Sequence, residues 1–224
     1  MRFYTTSVGK KIVMAISGFI VFGFVVIHLV GNLQIFFGPE TLNRYAEMLQ
    51  GLGGALWLFR ALLLLSIVLH IVAATQVTLQ SWQARPKGYA VTRYRTTSYA
   101  ARTMRWGGPL IALFVVYHIL HLTTGGLHPR PAGFISQAGG TINVYNNVVY
   151  GFQIWWTSAL YIIAILALCL HLYHGVSSMM QSVGLNHPRW NQWRRFAAVF
   201  FSLFVAAAGV SIPLAVLLGL VQPV

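Results

Sequence analysis

Apolar residues run along this chain in five long blocks, sparsely interrupted by polar positions and separated by shorter polar stretches. The blocks extend from about Ile12 to Phe37, Ala55 to Gln80, Gly107 to Thr124, Tyr150 to Met180 and Phe196 to Leu220. A helix needs about 20 apolar residues to cross the hydrocarbon core of a bilayer, so each block predicts a transmembrane helix. Lys10 and Lys11 precede the first block, Gly38-Pro39 stops it, and Arg194 and Arg195 precede the fifth. Pro213, inside the fifth, predicts a kink that neighbouring groups must compensate. The fourth block is longer than a bilayer requires and predicts tilt or extension beyond it. Between the first two blocks, Thr41–Leu52 reads as a short amphipathic helix turning Tyr45, Met48 and Leu49 towards the membrane. The Gly-, Pro- and Asn-rich stretch His128–Asn147 reads as a surface loop. No internal repeat of fixed period is visible. Residues 1–224 thus read as one membrane domain, an all-α protein of five transmembrane helices.

Composition sharpens this picture. The 224 residues are 57% hydrophobic and only 8% charged, with a mean hydropathy of +0.69. Soluble domains carry roughly 25% charged residues, so lipid must be the solvent over much of the surface. The net charge of +13 sets 15 Lys and Arg against two acids, Glu40 and Glu47. No soluble basic domain is left over to bind nucleic acid, so the basic residues report orientation instead. Arg44, Arg60 and Arg130 fall on one side. The other twelve, Arg2, Lys10, Lys11, Arg85, Lys87, Arg93, Arg95, Arg102, Arg105, Arg189, Arg194 and Arg195, fall on the opposite side. That asymmetry predicts a cytoplasmic N-terminus and an outside C-terminus in a cytoplasmic (inner) membrane. The single cysteine, Cys169, reads as a buried apolar residue. The first block is too long for a signal-peptide core and has no small-residue cleavage site closing it, so a cleaved leader is not expected.

The chemistry lies in the histidines. Ionisable residues within membrane helices are costly and usually functional. His28 lies in the first block, His70 in the second, His118 and His121 in the third, and His171 and His174 in the fourth; His128 and His187 lie in loops beside prolines and read as ordinary surface residues. The helices alternate in direction. At about 1.5 Å per residue, His28 and His118 therefore sit towards the outer face and His70 and His171 towards the cytoplasm. Alternate helices of a four-helix bundle are diagonal neighbours, the geometry needed to clamp a flat macrocycle from both sides. Bis-histidine ligation suits electron transfer because no position is left open for oxygen. Hydrogen bonding between helices is the competing use for any one histidine. Four, one per helix and matched in depth, favour two b haems within the first four helices. The His-x-x-His pairs each offer two candidates about 60° and 4.5 Å apart. The deeper members, His118 and His171, are preferred as ligands. His121 and His174, nearer water, would serve haem propionates or bundle packing. Gly18, Gly23, Gly31, Ala73, Ala74 and Gly175 fit close macrocycle approach.

The stretches Ile27-His28-Leu29-Val30-Gly31-Asn32, Leu69-His70-Ile71-Val72, Val116-Tyr117-His118-Ile119 and His171-Leu172-Tyr173-His174-Gly175-Val176, with Gln181–Pro188 after them, carry a resemblance. In their order and spacing the chain resembles the cytochrome b membrane anchor of succinate:quinone oxidoreductase, in the single-chain, five-helix, di-haem form related to fumarate reductases. The resemblance implies that His28 with His118 ligate the outer haem and His70 with His171 the inner one. It also implies a flavoprotein and an iron–sulfur subunit on the cytoplasmic face, the basic second-to-third loop being a candidate contact. The dicarboxylate active site would lie in the flavoprotein, so no residue of this chain is catalytic in that sense. Its task would be to carry electrons to a quinone, menaquinone or ubiquinone; higher oligomers of the complex are admitted.

Quinone reduction takes up protons, so a titratable group near the headgroup is expected. Glu47, with Arg44 and Tyr45, is one candidate near the outer haem, against the plainer reading of a solvated loop carboxylate. Arg102 and Arg105 are inner candidates for quinone or propionate, or mark the interface. The absence of any Asp or Glu within the blocks disfavours a proton pump built on buried carboxylates. Two rivals stand beside this reading: the cytochrome b subunit of a membrane hydrogenase or formate dehydrogenase, and a haem-free transporter or scaffold.

Overall fold

The computed structural model describes residues 3–84, 87, 94, 97–127 and 143–224. They form helices α1 (Ser7–Asn32), α2 (Pro39–Gly51), α3 (Gly54–Gln83), α4 (Tyr99–His118), α5 (Val144–Gln153), α6 (Trp155–Ser182) and α7 (Pro188–Leu217). A 3₁₀ turn, Leu33–Phe37, extends α1, and a π-helical turn, Ile119–Thr123, extends α4. Five rods are long and apolar enough to cross a membrane: Ser7–Phe37, Gly54–Gln83, Tyr99–Thr123, Trp155–Ser182 and Pro188–Leu217. The expected all-helical, multi-pass character is therefore present. The expectations for Arg2, Arg85, Arg93, Arg95, His128 and Arg130, and most of the loop expected over His128–Asn147, lie outside the described residues.

Capping moves several boundaries from where hydropathy alone put them. Thr6 accepts from the Gly9 amide at 2.9 Å, so α1 starts before its apolar run and takes Lys10 and Lys11 into the helix. Ser98 accepts from the Ala101 amide at 3.2 Å, which starts α4 early and makes Arg102 and Arg105 helical rather than loop residues. Pro188 opens α7, where its missing N–H costs nothing. His187 is its N-cap, its Nδ1 accepting from the Arg189 amide at 3.2 Å, and so has a structural role beyond that of a surface residue.

The fourth block is not one helix. Ile154 adopts extended backbone (φ −76°, ψ 106°) between α5 and α6. The Ser158 hydroxyl donates to the Phe152 carbonyl at 2.6 Å, satisfying a group that the break exposes. The end of the expected loop, Val144–Asn147, is instead the first turn of α5, with Tyr145 and Asn147 buried. Its Tyr145, Val148, Val149, Phe152 spacing is a helical stripe, and this outweighs the loop-like composition before it.

Along the rods, Ile27, Leu64, Leu113, Ile163 and Leu203 are exposed. Leaving each in water would cost roughly 1.5–3 kcal/mol, a cost that lipid removes. Helix α1 packs on α3 and α6, and α6 packs on α4 and α7, whereas α3 has substantial packing on α1 alone. The ring order is therefore α3, α1, α6, α4, with a sparse seam between α3 and α4. It makes α1 diagonal to α4 and α3 diagonal to α6. Gly209 lets α7 lie close against α6: a Cβ there would stand 3.1 Å from Ile165 Cδ1.

We call the end where α1, α4 and α7 begin the near end, and the opposite one the far end. The buried core gathers in the far half, where Ile35, Leu42, Tyr145, Val149, Phe152 and Val216 join α2, α5 and the C-terminal segment. Polar ties hold this cap. Asn43 Oδ1 accepts from the Tyr145 amide at 3.0 Å, the Tyr145 hydroxyl donates to Gln222 O at 3.0 Å, and Asn146 Nδ2 donates to Val224 O at 2.8 Å.

Candidate functional site

The diagonals bring four histidines into two facing pairs. His28 of α1 and His118 of α4 have ring centres 5.8 Å apart with planes at 88°. His70 of α3 and His171 of α6 have ring centres 6.2 Å apart at 63°. His28 is exposed and the other three are half-buried.

The two pairs are stacked along the bundle. On α1, Gly18 lies against His70, and His28 follows ten residues later. On α6, Tyr161 meets His118, and His171 follows ten residues later. Ten helical residues span about 15 Å, so two different helices give the same offset between storeys.

Each ring is held by what surrounds it. His70 Nδ1 lies 3.0 Å from the Met14 carbonyl oxygen, the arrangement in which Nδ1–H donates and Nε2 keeps its lone pair. A Cβ at Gly18 would stand 3.0 Å from His70 Cε1, so glycine is what lets the ring lie against α1. His118 Nδ1 lies 3.3 Å from the Tyr161 hydroxyl, which engages that nitrogen and leaves Nε2 outside the contact. Phe24 stacks on His28, and the Asn32 amide donates to the His28 carbonyl at 2.7 Å where α1 tightens into its 3₁₀ turn. Among the described residues His171 Nδ1 is buried without a hydrogen-bond partner, and a cavity of about 50 Å³ beside its ring is lined by Thr103, Met104, Gly107, Ala167 and Leu170.

A metal–imidazole bond of about 2 Å plus about 1 Å from nitrogen to ring centre, taken on both sides, separates two rings by about 6 Å. Both pairs have that spacing. Among the described residues no three His, Cys, Asp or Glu side chains come together. A four-ligand protein site of the zinc kind is therefore not formed there. Two opposed imidazoles suit a metal whose remaining ligands come from elsewhere.

The second histidine of each doublet is placed differently from its partner. The expectation that His121 lies towards water is corrected: it is 0% exposed, stacked on Tyr117, with Nδ1 2.9 Å from the Tyr161 hydroxyl. The π turn that carries it and the glycine at 151, where a Cβ would stand 2.9 Å from the ring, make that seat. His174 is half-buried and bonds Ser178 Oγ at 3.0 Å within its own helix. Arg105 lies over the Trp82 ring at 5.5 Å, bridging α4 and α3, and Arg102 lies over Tyr94 at 4.6 Å.

At the far end, Tyr45 of α2 lies against Gly31, one turn beyond His28, whereas Arg44 and Glu47 are exposed. Among the described residues, nothing beyond the local backbone and chain neighbours lies within 4 Å of where a Cβ on Gly23 or Gly175 would stand, so neither glycine marks a tight contact. Ala73, by contrast, is fully buried.

Three groups escaped the sequence reading. The Met14 carbonyl has no side-chain signature at all. Tyr161 was legible as a polar residue in an apolar run, ten positions before His171. Arg194 is buried at the near end of α7, where Gln181 accepts from its Nη1 and Nη2 once the amide is turned to face it. Both acids of the chain lie on α2 at the far end, so no side-chain carboxylate of this chain can neutralise that guanidinium. A lone arginine in line with Ala198, Ser202 and Val205 was the available signal. Comparison with protein-family models, with curated proteins and with solved structures returns no match to this chain.

Proposed function

We propose that this chain is the membrane-anchor cytochrome b subunit of a succinate:quinone oxidoreductase, holding two bis-histidine haems b between an iron–sulfur partner and a membrane quinone. The observation that carries the proposal is the stacking of two opposed histidine pairs about 15 Å apart on diagonal helices. Haem b, when bound, supplies reversible one-electron transfer, and its macrocycle supplies the equatorial ligands that the protein does not.

The chain's own residues then do four things. His28 with His118 would hold the far-end haem and His70 with His171 the near-end one, and two imidazoles per iron would leave no position open to oxygen. The Met14 carbonyl and the Tyr161 hydroxyl hold the tautomers that present Nε2. The sparse α3–α4 seam gives the macrocycle edges room without breaking a packed core. Arg194, a buried cation without an acid in its own chain, suits a haem propionate at the near end.

Lys10, Lys11, Arg102, Arg105, Arg189, Arg194 and Arg195 gather at the near end, which supports reading it as the cytoplasmic face by the positive-inside rule, where the partner subunits would dock. At the far end, Tyr45 beside the His28 turn is better placed for a quinone headgroup than Arg44 or Glu47.

The test is a dithionite-reduced spectrum of the purified protein with haem quantified per chain. Two haems b per chain are expected; a colourless preparation overturns the proposal and favours a haem-free transporter or scaffold. The companion proteins that purify with it separate the remaining rival. A flavoprotein with an iron–sulfur protein supports a succinate:quinone oxidoreductase, and a nickel or molybdenum subunit supports a hydrogenase or formate dehydrogenase.

A further inference from the structure

The π turn after His118 brings two histidines of one helix onto a single hydroxyl. His118 Nδ1 lies 3.3 Å, and His121 Nδ1 2.9 Å, from Tyr161 Oη. In the di-haem reading, on which this inference rests, His118 gives Nε2 to iron and so carries its proton on Nδ1. A phenol has one proton to give and lone pairs to accept with. Tyr161 therefore accepts from His118, and with His121 as its Nε2–H tautomer the phenol proton goes to His121 Nδ1.

The arrangement is built rather than incidental. Tyr161 is 4% exposed and His121 fully buried. The glycine at 151 opens the seat for the His121 ring, and the i→i+5 bond from the Thr124 amide to Ile119 O, at 2.9 Å, closes the π turn. π turns inside α-helices occur frequently at functional sites. Among the described residues the near-end pair shows no such hydroxyl: His70 is held by a main-chain carbonyl that substitution cannot remove, and His171 Nδ1 has no partner.

We propose that Tyr161, backed by His121, is the positioning residue that orients the far-end ligand His118 and sets how strongly its imidazole donates electrons to iron. An Nδ1–H that donates to an acceptor makes the imidazole a more basic ligand, which favours the oxidised metal. Donation from Tyr161 to His121 strengthens the phenol as an acceptor in turn.

The test is Tyr161→Phe in the full chain as purified with its partners. Phenylalanine keeps the ring contacts to Phe114 and Phe152, at 4.9 and 4.7 Å, and removes only the hydroxyl. The two haems are followed by redox titration and by their low-spin ferric resonance signals. The far-end haem is identified as the one lost in His28→Ala. The expected result is a more positive midpoint potential and a moved resonance signal for the far-end haem, with the near-end haem unchanged. His121→Leu is expected to shift the same haem in the same direction by less, and decides the matter alone if Tyr161→Phe cannot be recovered folded. Two haems that both stay put, or that shift equally, overturn the inference while leaving the proposed function standing. An unsubstituted chain without haem overturns both.

Discussion

The main-chain oxygen of Met14 and the Nδ1 of His70 lie 3.0 Å apart, so α1 orients a side chain carried by α3. Gly18, one turn further along α1, is the residue against which the same ring lies. Oxygen and glycine together form a cradle that fixes both the direction and the tautomer of the imidazole.

That cradle leads to the first prediction. Gly18→Val places branched carbon where a Cβ already stands 3.0 Å from His70 Cε1, and forces the ring away from Met14. On the di-haem proposal, haem content falls from two per chain towards one, with the near-end haem lost. Equal retention of both by pyridine haemochrome assay would show that the ring position does not matter.

On the di-haem proposal, removing one histidine from each storey separates the two haems. His70→Ala is expected to lose the near-end haem and largely spare the far-end one; His28→Ala should do the reverse. Reduced spectra and haem counts check this. Parallel loss in both variants would contradict independent storeys about 15 Å apart.

The α5–α6 break depends on one hydroxyl. In Ser158→Ala the buried Phe152 carbonyl loses its 2.6 Å donor. An unsatisfied buried group costs about 1–3 kcal/mol. Thermal unfolding in detergent should show a lowered midpoint, with a larger drop than for a substitution on the lipid-facing side such as Leu203→Ala.

Gly31 admits the Tyr45 ring at distances that no Cβ tolerates, 2.6 to 2.8 Å. Gly31→Val should therefore unseat α2 from α1. Hydrogen exchange over Pro39–Gly51 should accelerate while exchange in α6 stays as it was; unchanged protection of α2 would show that Tyr45 does not hold it.

Much of this was legible in the residues. The five apolar blocks gave the five rods, because a bilayer demands about 20 apolar residues wherever a helix crosses it. The amphipathic Thr41–Leu52 was found for the same kind of reason, from its period. Boundaries were missed at Ser7, Tyr99 and Pro188, since caps at Thr6, Ser98 and His187 act outside the apolar run. The α5–α6 break was missed because Ile154 is apolar and carries no breaker signal.

The order of His28, His70, His118 and His171 along alternating helices settled, without coordinates, which could meet at equal depth: rise per residue is fixed, and depth follows from counting. Which nitrogen His70 presents, and that His121 turns inward to Tyr161 rather than out to water, came only from the packed helices. Rotation about a helix axis, a π turn and a carbonyl's direction depend on contacts between segments distant in the chain, and no local pattern of residues records them.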